Sequence, residues 1–114
     1  MQIRKTYNEV NPELLYAEIR DFILKQGARL DENKLETYTL PDQSAAFISR
    51  GTLTFKSKDN TGKADIESLR VHIVGSVRGE TKLMLDVDES LFPQEKLSAL
   101  QSDLDFIFGA YEVK

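Results

Sequence analysis

His72 is the only histidine of the chain and the side chain best suited to acid–base or metal chemistry near neutral pH. It stands two positions after Arg70 in a run whose polar and apolar residues alternate. A hydrolase site or a zinc site needs two or three converging groups, and neither a nucleophile nor a second ligand is paired with His72 in the sequence. We therefore expect His72 to be a surface residue of a strand, and we predict no catalytic residue and no bound metal.

Three carboxylates, Asp86, Asp88 and Glu89, precede the last apolar segment. Asp86 and Asp88 share a strand face, so their oxygens could hold a hard cation. Acidic side chains ahead of a helix also interact favourably with the positive end of its dipole, and this simpler role accounts for the cluster. The chain has no cysteine, which excludes disulfides, thiolate metal ligands and cysteine nucleophiles. We predict no cofactor.

The most conspicuous charged segment is FKSKDNTGKADI, residues 55–66. A phosphate-binding P-loop is excluded because Ser57 stands where that loop needs glycine and Ala64 where it needs Ser or Thr. A calcium loop of the EF-hand type is excluded because Thr61 and Lys63 stand where it needs acidic or amide ligands. Asp, Asn and Gly favour tight turns, so we interpret the segment as a hairpin tip between two strands.

Hydrophobic periodicity predicts the elements that hold these residues. Alternation over residues 2–7 indicates a short strand, and residues 12–26 show helical spacing, with Asn11 as N-cap and Gly27 at the end. Further strands are predicted over residues 34–40, 45–56, 66–77 and 81–88. The last segment indicates an amphipathic helix with Pro93 in its first turn and Ser90 as a capping candidate. Its apolar stripe contains Leu97, Leu100, Leu104, Ile107, Phe108 and Tyr111.

This order predicts an α+β fold, β-α-β4-α, formed by a single domain over residues 1–114. Short loops join the last four strands, so we expect an antiparallel sheet. Odd positions of strands 45–55, 66–77 and 81–88 are apolar and even positions are mainly polar, so both helices should cover the odd face. The element order resembles the TATA-binding-protein-like fold and a shortened START helix-grip fold. The first resemblance implies a concave sheet face that grips DNA, and the second implies a ligand between the curved sheet and the last helix. The fold alone does not choose between these uses.

The polar face of the predicted sheet carries five basic groups that could together recognise an anion. They are Arg4, Arg50, Arg70, His72 and Lys82, with Tyr38 as one aromatic neighbour. The formal net charge is −4, which disfavours non-specific binding to nucleic acid or to anionic membranes. Solvated cross-strand pairs account for the same residues, so we do not expect nucleic acid as a partner.

Small residues on the apolar face, Ser49, Gly51 and Gly75, leave space among large neighbours. That space predicts either close packing of a helix or a modest pocket for a small apolar ligand. In the second case the pocket would lie under the last helix and would be completed by Leu104 and Phe108.

Phe106 points away from the apolar stripe of the last helix, with Ala99 and Ala110 near it. An exposed aromatic side chain of this kind could dock a second copy or another protein. We therefore predict a non-catalytic protein–protein interaction module that associates with itself or with another protein, and we do not expect an enzyme. A small-molecule binding protein is the alternative.

The sequence has no apolar run of the ~20 residues that a membrane-spanning helix requires. The N-terminal residues MQIRKTYNEV lack the apolar segment of a signal peptide. From these two features we expect a cytoplasmic protein without a membrane partner.

Overall fold

A computed structural model describes residues 1–40, 43–58, 61–76 and 79–113. Within these ranges, the side chains of residues 40 and 43–47 are outside the description. The structure is an α+β fold in which one sheet of five strands is combined with two helices, as predicted. The elements are β1 (Gln2–Asn8), α1 (Pro12–Lys25), β2 (Arg29–Leu40), β3 (Gln43–Lys58), β4 (Asp65–Gly75), β5 (Glu80–Val87), α2 (Gln94–Phe108) and a 3₁₀ turn (Gly109–Tyr111).

All neighbouring strands of the sheet are antiparallel, and their order is β1-β5-β4-β3-β2. The last four strands form the predicted meander, and β1 is added at the β5 edge. β2 starts at Arg29, five residues before the predicted start, because its first half is polar and gives no alternation signal. Asp59 and Asn60 of the predicted hairpin tip and the predicted strand end at Val77 lie outside the described residues.

The first helix follows its sequence signals closely. The side chain of Asn11 accepts a hydrogen bond from the Glu13 backbone amide at 2.8 Å, which satisfies one of the free donors at the helix start. Gly27 has φ = +95°, the left-handed conformation that glycine adopts without a steric cost. The predicted cap and the predicted termination are therefore both confirmed.

The second helix begins differently from the prediction. Pro93 is the N-cap rather than a residue of the first turn, and it has no side chain that can accept a capping hydrogen bond. Ser90 does not cap the helix; its backbone amide and its hydroxyl both donate to Asp88 Oδ1, at 3.0 and 2.6 Å. These bonds form a turn between β5 and α2, and Phe92 beyond the turn is buried in the core.

One hydrophobic core lies between the sheet and the helices. The odd positions of β3, β4 and β5 point into it, and both helices contribute their apolar stripes, so the helices cover a single face of the sheet as predicted. The strand residues of the core are Leu53, Phe55, Leu69, Val71, Ile73, Leu83, Leu85 and Val87, and those of α2 are Leu97, Leu100, Leu104 and Phe108.

Two contacts show that the helices run antiparallel. Lys96, in the first turn of α2, donates to the carbonyl oxygen of Gln26 at the end of α1, at 2.6 Å. Further along, Asp103 of α2 meets Glu18 of α1. The contact at the start of α2 is made with the end of α1, and the contact further along α2 is made with an earlier residue of α1. The last turn of α2 therefore lies near the first turn of α1.

The residues after α2 return to the sheet. Glu112 forms an isolated antiparallel bridge with Tyr7, and the backbone amide of Val113 donates to the Thr6 carbonyl at 2.7 Å. Lys5 of β1 pairs with Glu112 at 3.3 Å and with Asp105 at 3.6 Å, and only 14% of its side chain is exposed. These contacts cover part of the outer edge of β1.

No helix in the described parts of the chain is long and apolar enough to cross a membrane.

Candidate interaction surfaces

The sheet face opposite the helices carries two transverse rows of side chains. In the first row, Met84 stands between Arg4 and His72, its partners on the two flanking strands. In the second row, Lys82 stands between Thr6 and Val74. These six side chains line a groove with a volume of about 610 Å³ that crosses β1, β5 and β4. The antiparallel register therefore brings predicted open-face residues from three strands into one place.

The groove combines basic rims with an apolar floor. Arg4, Lys82 and the neighbouring Arg50, which is the β3 partner of Val74, form no ion pair with a carboxylate of the described residues. Val74 is 36% exposed and Met84 is half-buried. Unpaired cations beside apolar side chains suit an acidic partner that also presents an apolar group.

Arg70 lies outside the groove, although the sequence placed it with the other basic residues. Its guanidinium Nη2 donates to Glu67 Oε1 at 2.8 Å, and its partner across β5 is Asp86. Two acidic neighbours therefore reduce its positive potential, whereas Arg4 and Lys82 keep theirs. Tyr38 is also displaced from the groove: it lies on the edge strand β2, and its hydroxyl donates to Glu36 Oε2 at 2.5 Å.

The acidic cluster before α2 is divided by the structure. Asp86 lies in β5 opposite Arg70, whereas Asp88 lies in the turn that follows the strand, so the two do not share a strand face. The hydroxyl and the amide of Ser90 hold the pKa of Asp88 below its usual value. Within the described ranges, no three His, Asp or Glu side chains are close enough to hold a metal ion.

The small-residue track on the helix-facing side contains Ser49 and Gly75 as direct cross-strand partners, and Gly51 follows on β3. The ring of Tyr16 packs over Gly51, because a Cβ atom at Gly51 would lie 2.6 Å from Tyr16 Cδ2. Thr81 occupies the space at Gly75, where a Cβ would lie 2.3 Å from Thr81 Oγ1. Close packing therefore accounts for both glycines.

Leu104 and Phe108, the other two residues of the predicted pocket, are buried in the same core. The Phe108 ring contacts the Tyr7 ring edge-on, with centroids 6.0 Å apart. Binding of an apolar ligand under α2 stays a prediction, and it would require Tyr16 or Thr81 to move.

The outer surface of α2 ends in an exposed apolar segment. Phe106 is 91% exposed, which is the largest value among the exposed large hydrophobic residues of the described ranges. Of the predicted interface residues near it, Ala110 is exposed and Ala99 is half-buried. Four of the eleven exposed large hydrophobic side chains fall within residues 106–113, namely Phe106, Ile107, Tyr111 and Val113.

Ile107 and Tyr111 were expected in the core stripe, and this expectation was wrong. Ile107 is 38% exposed and Tyr111 is 52% exposed. The α-helix ends at Phe108, and the 3₁₀ turn then directs the chain toward β1. A stripe calculated at 100° per residue does not continue through such a change of backbone, which accounts for Tyr111. Ile107 lies within α2, but it stands at the margin of the stripe.

The helix layer is acidic. The two helices contain six carboxylate side chains and three basic ones, so their formal charge is −3. The carboxylates are Glu13, Glu18, Asp21, Glu95, Asp103 and Asp105, and the basic residues are Arg20, Lys25 and Lys96. The two sides of the molecule therefore differ: a negative helix layer with an exposed aromatic side chain lies opposite a groove with basic rims.

Comparison with known proteins gives no relative: no family model, no curated protein and no solved structure matches the chain. The resemblance of the element order to TATA-binding-protein-like and START folds therefore stays a prediction.

Proposed function

We propose that this protein is a non-catalytic protein–protein interaction module that associates with itself. The observation that carries the proposal is the exposure of Phe106, whose side chain is 91% exposed at the end of a helix that otherwise buries its large apolar residues toward the core, apart from Ile107. An aromatic side chain in this position gains free energy when a partner covers it, and aromatic residues are enriched at the centres of protein interfaces.

The other surfaces support binding rather than catalysis. The groove contains one imidazole, that of His72, and its lining residues include no carboxylate, serine, cysteine or tyrosine that could act with it. The element order resembles that of TATA-binding-protein-like folds, whose concave sheet face grips DNA and so serves as a binding surface. An open sheet face is available here because both helices pack on the opposite side.

Sedimentation velocity over a wide range of concentrations tests the proposal. We expect the weight-average sedimentation coefficient of the wild-type protein to rise with concentration. Phe106→Asp should remain monomeric, because an aspartate cannot replace the apolar contact and carries a charge that must be desolvated. Ser98→Asp places the same charge at an exposed position two turns earlier on α2 and should associate like the wild type.

Two results would refute self-association through this surface. The first is a wild-type protein that remains monomeric at every concentration. The second is a Phe106→Asp variant that folds normally by circular dichroism and associates as strongly as the wild type.

A further inference from the structure

We infer that the association is head-to-tail, with Phe106 of one copy seated in the groove on the helix-free sheet face of the next copy. This inference rests on the proposed self-association and names the two surfaces that meet. It requires that the two surfaces be complementary to each other and that neither be complementary to itself.

The two surfaces match in chemistry. The groove offers the apolar side chains of Val74 and Met84 between the basic side chains of Arg4 and Lys82. Phe106 offers an apolar ring on the helix layer, whose formal charge is −3. The neighbouring carboxylate of Asp105 is 60% exposed, although it also pairs with Lys5 of its own chain. A negatively charged surface that presents an aromatic side chain is the complement of a basic rim around an apolar floor.

Symmetric pairing of either surface with itself is unfavourable. A groove facing a second groove would bring Arg4 and Lys82 close to their own copies, and neither of these cations is in an ion pair within the described structure. A helix layer facing a second helix layer would oppose two surfaces of formal charge −3. Like charges brought together at an interface cost free energy, whereas the head-to-tail arrangement pairs opposite charges.

The geometry of a head-to-tail contact has a consequence for the size of the assembly. Helices and groove lie on opposite sides of the sheet, so a copy that has bound one partner still presents its second surface. A heterologous contact of this kind continues into a ring or an open chain rather than stopping at a dimer. We therefore expect species larger than a dimer, and we expect salt to weaken them because opposite surface charges are screened.

Complementation between two variants tests the inference. Phe106→Asp removes the aromatic side chain and keeps the groove, whereas Arg4→Glu/Lys82→Glu reverses the groove and keeps Phe106. For each variant alone, the dissociation constant of self-association should rise by at least about thirtyfold, which is the effect of losing one hot-spot side chain. In a mixture, Phe106 of the groove variant should bind the intact groove of the Phe106→Asp variant and form a one-to-one heterodimer. Nothing larger should form, because the only surfaces left free on the heterodimer are the two that carry the substitutions. Native mass spectrometry with one isotopically labelled variant identifies that species.

Lys56→Glu/Lys58→Glu is the matched control. It reverses two lysine charges on β3 outside the lining of the groove, so it changes the net charge by the same amount. This control should associate like the wild type, and circular dichroism should show that both double variants are folded.

The possible failures are distinguishable. If the wild type does not associate, the proposed function is wrong. If the wild type associates and the groove variant associates equally well, the proposed function stands and the groove is not the second surface. If both variants are folded monomers and their mixture contains no heterodimer, the head-to-tail arrangement is wrong.

Discussion

Glu18 of α1 and Asp103 of α2 place two carboxyl groups in contact where the helices meet. Two ionised carboxylates cannot hydrogen-bond to each other, so the contact is favourable only when one of them holds a proton. The hydrogen bond to Asp103 is the main cause that raises the pKa of Glu18, and burial and the negative charge of Asp103 add to it. Because the pKa of Glu18 is raised in the folded state, the contribution of this contact to stability depends on pH.

The sign of that sensitivity follows from the direction of the shift. A carboxyl group whose pKa is higher in the folded state binds more protons when folded than when unfolded. Its stabilising contribution is therefore complete below the ordinary pKa of 4.5 and is lost as the pH rises through the folded pKa. As the pH rises above this value, the wild-type protein should lose stability that Glu18→Gln does not lose. We therefore expect the free energy of unfolding of Glu18→Gln to increase relative to that of the wild type.

At neutral pH we expect Glu18→Gln to stabilise the protein by about 1 kcal/mol, because an amide can donate to the Asp103 carboxylate without holding a titrating proton. Urea denaturation of both proteins at several pH values measures this difference. Glu89→Gln makes the same chemical change at an exposed position outside the helices and should leave the pH dependence unaltered. A Glu18→Gln variant with the same pH dependence as the wild type would show that the carboxyl pair does not titrate as proposed.

Lys5 connects the first strand with the end of the chain, because its ammonium group lies between the carboxylates of Asp105 and Glu112. We expect Lys5→Met to lower the free energy of unfolding by about 1–2 kcal/mol, since Glu112 is largely buried and would lose its cation. The loss should be local at first: hydrogen exchange of the Val113 amide, which donates to the Thr6 carbonyl, should become faster.

Lys34→Met is a suitable control for this change. Lys34 is paired with Glu36 at 3.1 Å on the edge strand, but 62% of its side chain is exposed. Exposed pairs contribute little, so stability and Val113 exchange should stay close to the wild type. If Lys5→Met and Lys34→Met behave alike, the Lys5 cluster does not hold the C-terminal residues on β1.

The sequence predicted the features that depend on local patterns. The first helix could be predicted with its ends because Asn11 and Gly27 act within one turn of the helix they delimit. The two faces of the sheet could be predicted because alternation along one strand decides which side chains share a face. His72 and Lys82 stand at even positions of β4 and β5, so alternation alone predicts that they lie on the open side of the sheet.

Features that depend on contacts between distant segments could not be predicted in this way. The groove exists because β1 pairs with β5, which brings Arg4 beside Met84, and no local pattern specifies that register. Asp103 lies at a polar position of the last helix, and its contact with Glu18 depends on how two helices cross. The register also decides that Thr81 faces Gly75, so a glycine that suggested empty space is in fact closely packed.

That close packing predicts the effect of adding a methyl group at Gly75. A Cβ there would lie 2.3 Å from Thr81 Oγ1 and 2.6 Å from Thr81 Cα, and a backbone atom cannot move aside as a flexible side chain does. Gly75→Ala should therefore lower the free energy of unfolding by at least about 1–3 kcal/mol, the usual cost of overpacking. Thermal and urea denaturation measure the change.

Gly79→Ala provides the comparison, because among the described residues a Cβ at Gly79 meets only Ser76 Cβ, at 4.0 Å, and glycine is not required there by a positive φ. Its stability should stay the same or rise slightly, since alanine restricts the unfolded chain more than glycine does. A Gly75→Ala variant as stable as Gly79→Ala would mean that the space at Gly75 is open, as a ligand pocket would require.

The buried hydroxyl group of Tyr7 leads to the prediction that its removal does not destabilise the protein. Its side chain is fully buried against Phe108, and its hydroxyl has no hydrogen-bond partner among the described residues. Burial, with the nearby negative charges of Glu112 and Asp105, raises the pKa of this phenol, so the group stays neutral at physiological pH but is still desolvated without a compensating bond.

Tyr7→Phe removes this hydroxyl and keeps the ring that contacts Phe108. We expect its free energy of unfolding to equal that of the wild type or to exceed it by about 1 kcal/mol, because the desolvation cost disappears while most of the apolar packing remains. Tyr111→Phe, at a side chain that is 52% exposed, should change nothing, since water satisfies that hydroxyl in both states. A clear loss of stability in Tyr7→Phe alone would indicate that the buried hydroxyl is held by an ordered water molecule, and Glu112 would be the nearby acceptor to test next.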